Sequence, residues 1–249
     1  LIDVQKIQCD FLTCSPYKFY GPHSGVLYGK RNVLEGNPSI NPYKIRTAQI
    51  SLAADDSYQM SMWELGTPNF EALAGIEKCV DYIASIGRRY GEGKLKSMSD
   101  GSGGGGGGSS SRSEERREDI VNGWSIIRKH ENNMKTLFLN ETSKMRNLNV
   151  YGVTNVQNVS DRTATFGISV DGLHPEDLCT KLTDKGIYCT SGNHYCTFWD
   201  TFEEGGGGKN TALNSMDGVT RIGFLHYNTI NDVQNVLNVL QDICKDAAK

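Results

Sequence analysis

Residues 97–113 divide this chain. Gly101, an unbroken glycine run over residues 103–108 and a cluster of serines offer almost no apolar area to bury, and glycine loses more backbone freedom on ordering than any other residue. A stretch of this kind is a flexible linker, so folding has to be completed on either side of it. We read residues 1–98 as one part, 99–113 as the linker and 114–249 as a second part. A glycine run also suggests a phosphate cradle. Neither this stretch nor Gly91-Glu92-Gly93-Lys94-Leu95 fits GxxxxGK followed by Ser or Thr, because leucine follows the lysine. A second glycine run at residues 205–208 reads as an expanded surface loop.

Upstream of the linker, residues 10–30 read as two strands around a turn, and residues 37–48, with Pro38 and Pro42, read as a loop. After Pro68, apolar Ala72, Ile76, Val80, Ile83 and Ile86 recur at helical spacing, with Gly87 as the expected stop. Downstream, residues 114–142 carry Ile120, Trp124, Ile127, Met134, Leu137 and Phe138 on one face of a long helix. Strands are then expected at residues 150–153 and 163–170, a helix at 175–184, strands at 187–190 and 220–227, and a last helix at 231–244, whose start Asn228-Thr229 would cap. Strands alternating with helices in the order ββαββα define an α/β unit.

Composition excludes several function classes. A formal net charge of −3, with Lys and Arg scattered along the 249 residues, leaves no electrostatic footprint for nucleic acid. No apolar run is long enough to span a bilayer, and no HExxH, GxSxG or zinc-spaced Cys/His cluster is present, so no metal is expected. Seven cysteines without a CxxC pair point to a reducing compartment, most simply the cytoplasm. The start, Leu1-Ile2-Asp3-Val4, has neither an initiator methionine nor a signal-peptide layout. We read the N-terminus as cut, which leaves an organelle open.

The residue that carries most chemistry is Lys18, in Ser15-Pro16-Tyr17-Lys18-Phe19-Tyr20-Gly21-Pro22-His23-Ser24-Gly25. Tyr17, Phe19 and Tyr20 are expected to desolvate its ammonium, which disfavours the charged form and frees an amine nucleophile. Ser15 offers a hydroxyl to an anion. Read without a ligand, Lys18 is a strand-end lysine keeping its charge in water. Thr67, in Gly66-Thr67-Pro68-Asn69, is expected at a helix N-terminus, either capping it or meeting an anion there. Arg221 opens an otherwise apolar strand, where a buried guanidinium needs an anion, or else is an exposed arginine paired with a nearby acid.

The Lys18 turn, residues 63–70 (WELGTPNF), 191–196 (SGNHYC) and 221–229 (RIGFLHYNT) together resemble the class V aminotransferases. That pyridoxal-phosphate family includes cysteine desulfurases and selenocysteine lyases. The likeness is closest to a desulfurase-like subfamily in which Tyr-Lys-Phe replaces His-Lys. It implies the C-terminal part of a fold-type-I large domain followed by a small α/β domain, acting on an amino acid as an aminotransferase or desulfurase-like enzyme with pyridoxal 5'-phosphate. By the same resemblance Lys18 is covalently tied to the cofactor aldehyde and moves protons at the substrate Cα. Ser15 binds the cofactor phosphate, and Tyr17 stands where desulfurases have a phosphate-touching histidine. Thr67 reaches the phosphate of a neighbouring subunit, which implies a homodimer with shared sites, and Arg221 grips the substrate α-carboxylate. His194 and Tyr195 line the site. Cys196 lies one residue beyond the position of the desulfurase cysteine, which makes it a weak candidate sulfur acceptor. The family's acidic partner for the pyridinium nitrogen and its ring-stacking residue precede the lysine. Asp3 and Asp10 lie too close to Lys18 to serve, so the chain reads as a fragment. The alternative is a non-catalytic or truncated relative keeping only fold and dimer surface.

Overall fold

Short apolar runs, Phe11-Leu12 and Val26-Leu27-Tyr28, on either side of the Lys18 turn fold into a two-stranded antiparallel ribbon. It joins β1 (Phe11–Cys14) to β2 (Val26–Gly29), with Phe11 opposite Gly29 and Cys14 opposite Val26. The structure is a computed structural model that describes residues 2–34, 67–91, 109–195 and 218–247. The loop read at 37–48, residues 63–66, Cys196, the run at 205–208 and the linker up to residue 108 lie outside the described residues. The chain divides into two compact units, Leu1–Ile126 and Ile127–Lys249.

In the first unit the ribbon is preceded by a short helix, α1 (Val4–Ile7), capped by Asp3, and followed by another, α2 (Arg31–Leu34). The long helix α3 (Phe70–Tyr90) starts at Asn69, whose side chain accepts from Ala72 N at 3.0 Å. Thr67 is therefore not the cap. Asn69 occupies the last non-helical position before α3, from which its side-chain oxygen reaches the orphan N–H of Ala72. Gly87 is not the stop either: α3 runs on to Tyr90, and Gly87 is buried against the helix α4 (Ser109–Thr142). A Cβ on Gly87 would collide with Asp119 O, and one on Gly123 of α4 would collide with Ile83 O. The two helices therefore touch backbone to backbone. Beside the crossing, Arg88 pairs with the buried Asp119 at 3.3 Å and Arg116 with Asp81 at 2.7 Å. Helix α4 also begins earlier than expected, its first turn taking in residues 109–113 of the stretch read as linker.

The second unit is the expected ββαββα arrangement. Its strands are β3 (Leu148–Val150), β4 (Thr165–Val170), β5 (Thr190–Gly192) and β6 (Val219–Gly223), in the antiparallel order β3-β4-β6-β5. Its helices are α5 (Pro175–Thr183) and α6 (Ile230–Ala247). Period-two alternation puts Phe166, Ile168 and Val170 of β4 and Ile222 of β6 into the core. They meet Met134 and Phe138 of α4, Leu178 and Leu182 of α5, and Val233, Leu237 and Leu240 of α6. Phe138 packs on Phe166 with ring centroids 4.2 Å apart and on Phe224 at 5.6 Å. Strand ends differ from the sequence reading by up to four residues, the largest at β6, which stops at Gly223. The Tyr151–Val153 stretch leaves the sheet once Gly152 takes φ +90°, and residues 187–189 pass over the end of α5, with buried Ile187 donating to Leu182 O at 2.9 Å. Thr229 and Asp232 cap α6 reciprocally: Asp232 Oδ2 accepts from Thr229 N at 2.7 Å and Thr229 Oγ1 accepts from Asp232 N at 3.1 Å. Those hydrogen bonds hold the Asp232 carboxyl below its usual value.

A buried lysine closes the loop between β3 and β4. Lys135, 2 % exposed, donates to Val159 O at 2.8 Å and Arg162 O at 2.7 Å. Burial pulls its pKa down, and Glu131 opposes that shift. Lys135→Met keeps the apolar stem but strands two carbonyls. It is expected to lower stability by about 2 kcal/mol, read as a shift in the urea midpoint. An unchanged midpoint would mean that the ammonium does not hold the loop.

Candidate functional site

The first group of residues lies on the turn between β1 and β2. Pro16 starts a 3₁₀ turn, Pro16–Phe19, which Gly21 closes by donating to Pro16 O at 2.9 Å. Tyr20 takes φ +77°, a conformation tolerated at a single position that ends a helical turn. Lys18 N donates to Ser15 O at 3.0 Å, which fixes the lysine backbone on the serine. The Ser15 side chain does not cap the turn. Helix α3 secures the turn from outside, with the Cys79 thiol donating to Phe19 O at 2.6 Å. Burial holds that thiol above its ordinary pKa.

Lys18 and Ser15 line one open cavity of about 610 Å³ with Thr13, Cys14, Phe19 and Leu27. That volume falls in the range of small-molecule sites, ~300–1,000 Å³. The rings around Lys18 do not bury it. Lys18 is exposed, Tyr17 is 47 % exposed and stacks on His23 with centroids 4.9 Å apart, and the ammonium stands 5.7 Å from the Tyr17 ring. The desolvation expected from Tyr17, Phe19 and Tyr20 is thus not delivered by these residues. Tyr17 is not among the lining residues, and Thr67 is exposed ahead of Asn69, also outside the lining.

The second group lies in the other unit. Arg221 occupies the middle of β6, opposite Gly167 of β4 and Thr190 of β5. Its side chain is exposed, so it is not the buried guanidinium expected from the apolar run. Gly167 puts no side chain beside it, while Thr190 does. His194 points a ring nitrogen at Val219 O, 3.2 Å away. His194 at φ +50° and Tyr195 at φ +66° are consecutive left-handed residues, each costing of order 1 kcal/mol. Asn193 supports them by accepting from Tyr195 N at 3.1 Å, and Tyr195 is fully exposed. Gly218, at φ +100°, re-enters so near Gly192 that a Cβ would strike Gly192 O.

Two clusters were not visible in the sequence. His226 is held below its usual pKa by burial and by neighbouring His130, whose Nε2 lies 2.8 Å from Asn228 O. Cys179 of α5 and Cys189, just before β5, bring their sulfurs to 3.3 Å, and burial together with the Cys179 thiol pushes Cys189 up to about 12. Among the described residues no cluster of three or more His, Cys, Asp and Glu is placed to hold a metal, and no helix is long and apolar enough to cross a membrane.

The sequence model of the family Aminotransferase class-V matches residues 1–100 and 121–236, and the chain belongs to that family. Among curated proteins, a cysteine desulfurase of Pectobacterium carotovorum is 39% identical over 90 residues, covering 35% of this chain and 22% of its own length. A cysteine desulfurase of Serratia proteamaculans is 23% identical over 98% of this chain and 48% of its own length. The chain thus spans about half, or less, of the relatives it matches. In fold it is similar to the apo cysteine desulfurase of Thermococcus onnurineus, with TM-score 0.60 and 21% identity over 98% of this chain and 49% of that one. The cysteine desulfurase CsdA of Escherichia coli gives 0.58 and 20% over 98% and 48%. These likenesses establish a partial fold-type-I α/β architecture.

Proposed function

We propose that this chain is the C-terminal part of a pyridoxal-phosphate-dependent enzyme that acts on an amino acid by amino-group transfer or by desulfuration of cysteine. The observation that carries this reading is the pairing of Lys18 and Ser15 in one open cavity on a turn anchored from both sides. The donor set fits the cofactor in part. An amine and a hydroxyl suit its aldehyde and its phosphate, while Cys14 and Ser15 neighbour the lysine without an acidic side chain in the lining. When bound, pyridoxal phosphate supplies an electron sink for charge at the substrate Cα. Lys18 carries the covalent attachment and the proton exchanged at Cα, and its exposure lets it swing between the two tasks. Ser15 donates to the phosphate. Thr67, relieved of capping by Asn69, is available to a second subunit's phosphate in a homodimer. Arg221 receives the α-carboxylate through a planar fork suited to two oxygens, His194 and Tyr195 border it, and Cys196 is retained as the weak candidate for sulfur acceptance.

The second reading is a family member that keeps the fold without catalysis. Borohydride reduction with equimolar pyridoxal phosphate, followed by peptide mapping, separates the two. The first reading expects one cofactor mass on Lys18, ahead of every other lysine. Label spread over surface lysines supports the second. For Arg221→Ala the first reading expects an amino-acid KM raised about tenfold or more with a smaller change in kcat, the loss of a charged hydrogen-bonded anchor. An unchanged KM would assign the carboxylate to another residue.

A further inference from the structure

We propose that Cys179 and Cys189 form a reversible dithiol–disulfide site, and that their bridge pins α5 to the start of the strand that leads into the His194–Tyr195 turn. The inference stands on the second unit alone and does not depend on the reading of Lys18. The sulfurs lie 3.3 Å apart, and Cys179 Sγ is also 3.3 Å from Cys189 O. A disulfide needs about 2.05 Å, so the sulfurs have to close by little more than an ångström. The backbones that carry them are already fixed. Asp184 N donates to Thr180 O at 2.9 Å, Gly186 N to Thr183 O at 2.8 Å and Ile187 N to Leu182 O at 2.9 Å. Gly186 at φ +77° makes the reversal that lays Cys189 over Cys179. Leu182 is fully buried and Ile187 nearly so, which clamps the loop from the core side. Both cysteines are free and half-buried rather than sealed in the core, so a small oxidant can reach them.

The oxidant is a low-molecular-weight disulfide of the glutathione class. The Cys179 thiolate attacks a sulfur of RSSR, the S–S bond breaks, and RS⁻ leaves and takes up a proton; Cys189 is the thiol that burial and its neighbour hold protonated until then. The second protein thiolate then attacks the mixed disulfide and expels the remaining RS⁻. Two protein thiols are oxidised to one disulfide as one RSSR is reduced to two RSH. The bridge ties the middle of α5 to the residue before β5, and so to the strained turn that holds His194 and Tyr195 beside β6.

The test equilibrates the 249-residue chain in a series of glutathione buffers of rising oxidised fraction, alkylates residual thiols, digests with trypsin and maps linked peptides. Because residues 186–209 carry both Cys189 and Cys196, Cys196→Ser is run in parallel. The expected result is a linked pair of peptides, 163–181 with 186–209, in wild type and in Cys196→Ser, lost with dithiothreitol and absent from Cys179→Ala and Cys189→Ala. Amide exchange over residues 190–195 is expected to slow several-fold on oxidation of the wild type. The wild-type result needs no variant to fold. The proposal is overturned if the two peptides stay unlinked at the most oxidising ratio, if they end as separate glutathione adducts, or if the link disappears in Cys196→Ser.

Discussion

Lys18→Ala is expected to abolish the borohydride-trapped cofactor and to lower amino-acid turnover by about a thousandfold or more, the scale set by loss of a group that moves the proton. Among the described residues no second lysine lines the cavity to substitute for it. The fold should survive. Lys18 is exposed, and its structural link to the turn is its main-chain N–H to Ser15 O, which alanine keeps. The urea midpoint should therefore move by no more than about 0.5 kcal/mol. Lys18→Arg sharpens the experiment, because a guanidinium keeps the charge and the reach but is never a neutral nucleophile. It should be as inactive as alanine. If Lys18→Arg retains the trapped adduct, the attachment lies on another amine and the assignment of the cavity falls. If Lys18→Ala instead unfolds the chain, the lysine is holding the turn together and the ligand-free reading gains.

What the sequence made legible follows from the range of the interactions involved. Pairing of Phe11–Cys14 with Val26–Gly29, the caps at Thr229 and the helical face of Ile127, Met134 and Phe138 are local or periodic, and the chain spells them out. The family resemblance rested on segments that the family's sequence model also spans. The errors have a common cause in tertiary placement. For Arg221 the apolar neighbours leave both a buried and an exposed placement open; Thr220, Ile222 and Phe224 alternate into the core while residue 221 faces out, a choice that strand parity makes. Tyr17 does stand by Lys18, 5.7 Å from its ammonium, but the turn also stacks it on His23, six residues on, and leaves it half exposed, so it cannot desolvate the amine. Cys179 and Cys189 approach across the end of a helix and the reversal after it, and no spacing rule predicts that meeting.

Gly87 gives the second large effect, and its sign separates two explanations of one residue. A glycine inside a helix costs about 1 kcal/mol relative to alanine. If Gly87 served only as a local break in α3, Gly87→Ala would stabilise the chain by about that much. The crossing with α4 predicts the opposite. The added Cβ would run into Asp119 O, with Gly123 N close behind it, and both belong to helix backbone that cannot swing aside as a side chain can. To admit a methyl the helices must part, which uncovers Ala84 and Ile83, now almost wholly buried, and opens the buried Asp119 carboxylate to water. Gly87→Ala is therefore expected to destabilise by about 2 kcal/mol and Gly87→Val by about 4 kcal/mol, the upper range for overpacking. Gly123→Ala, whose Cβ would meet Ile83 O from the other side, should cost about as much as Gly87→Ala. The pair should be non-additive, because helices already forced apart by one methyl have room for the second. Urea unfolding of the two single variants and the double variant measures this directly. Additive losses would mean that the glycines do not share one crossing, and a stabilised Gly87→Ala would return the residue to the role of a helix stop.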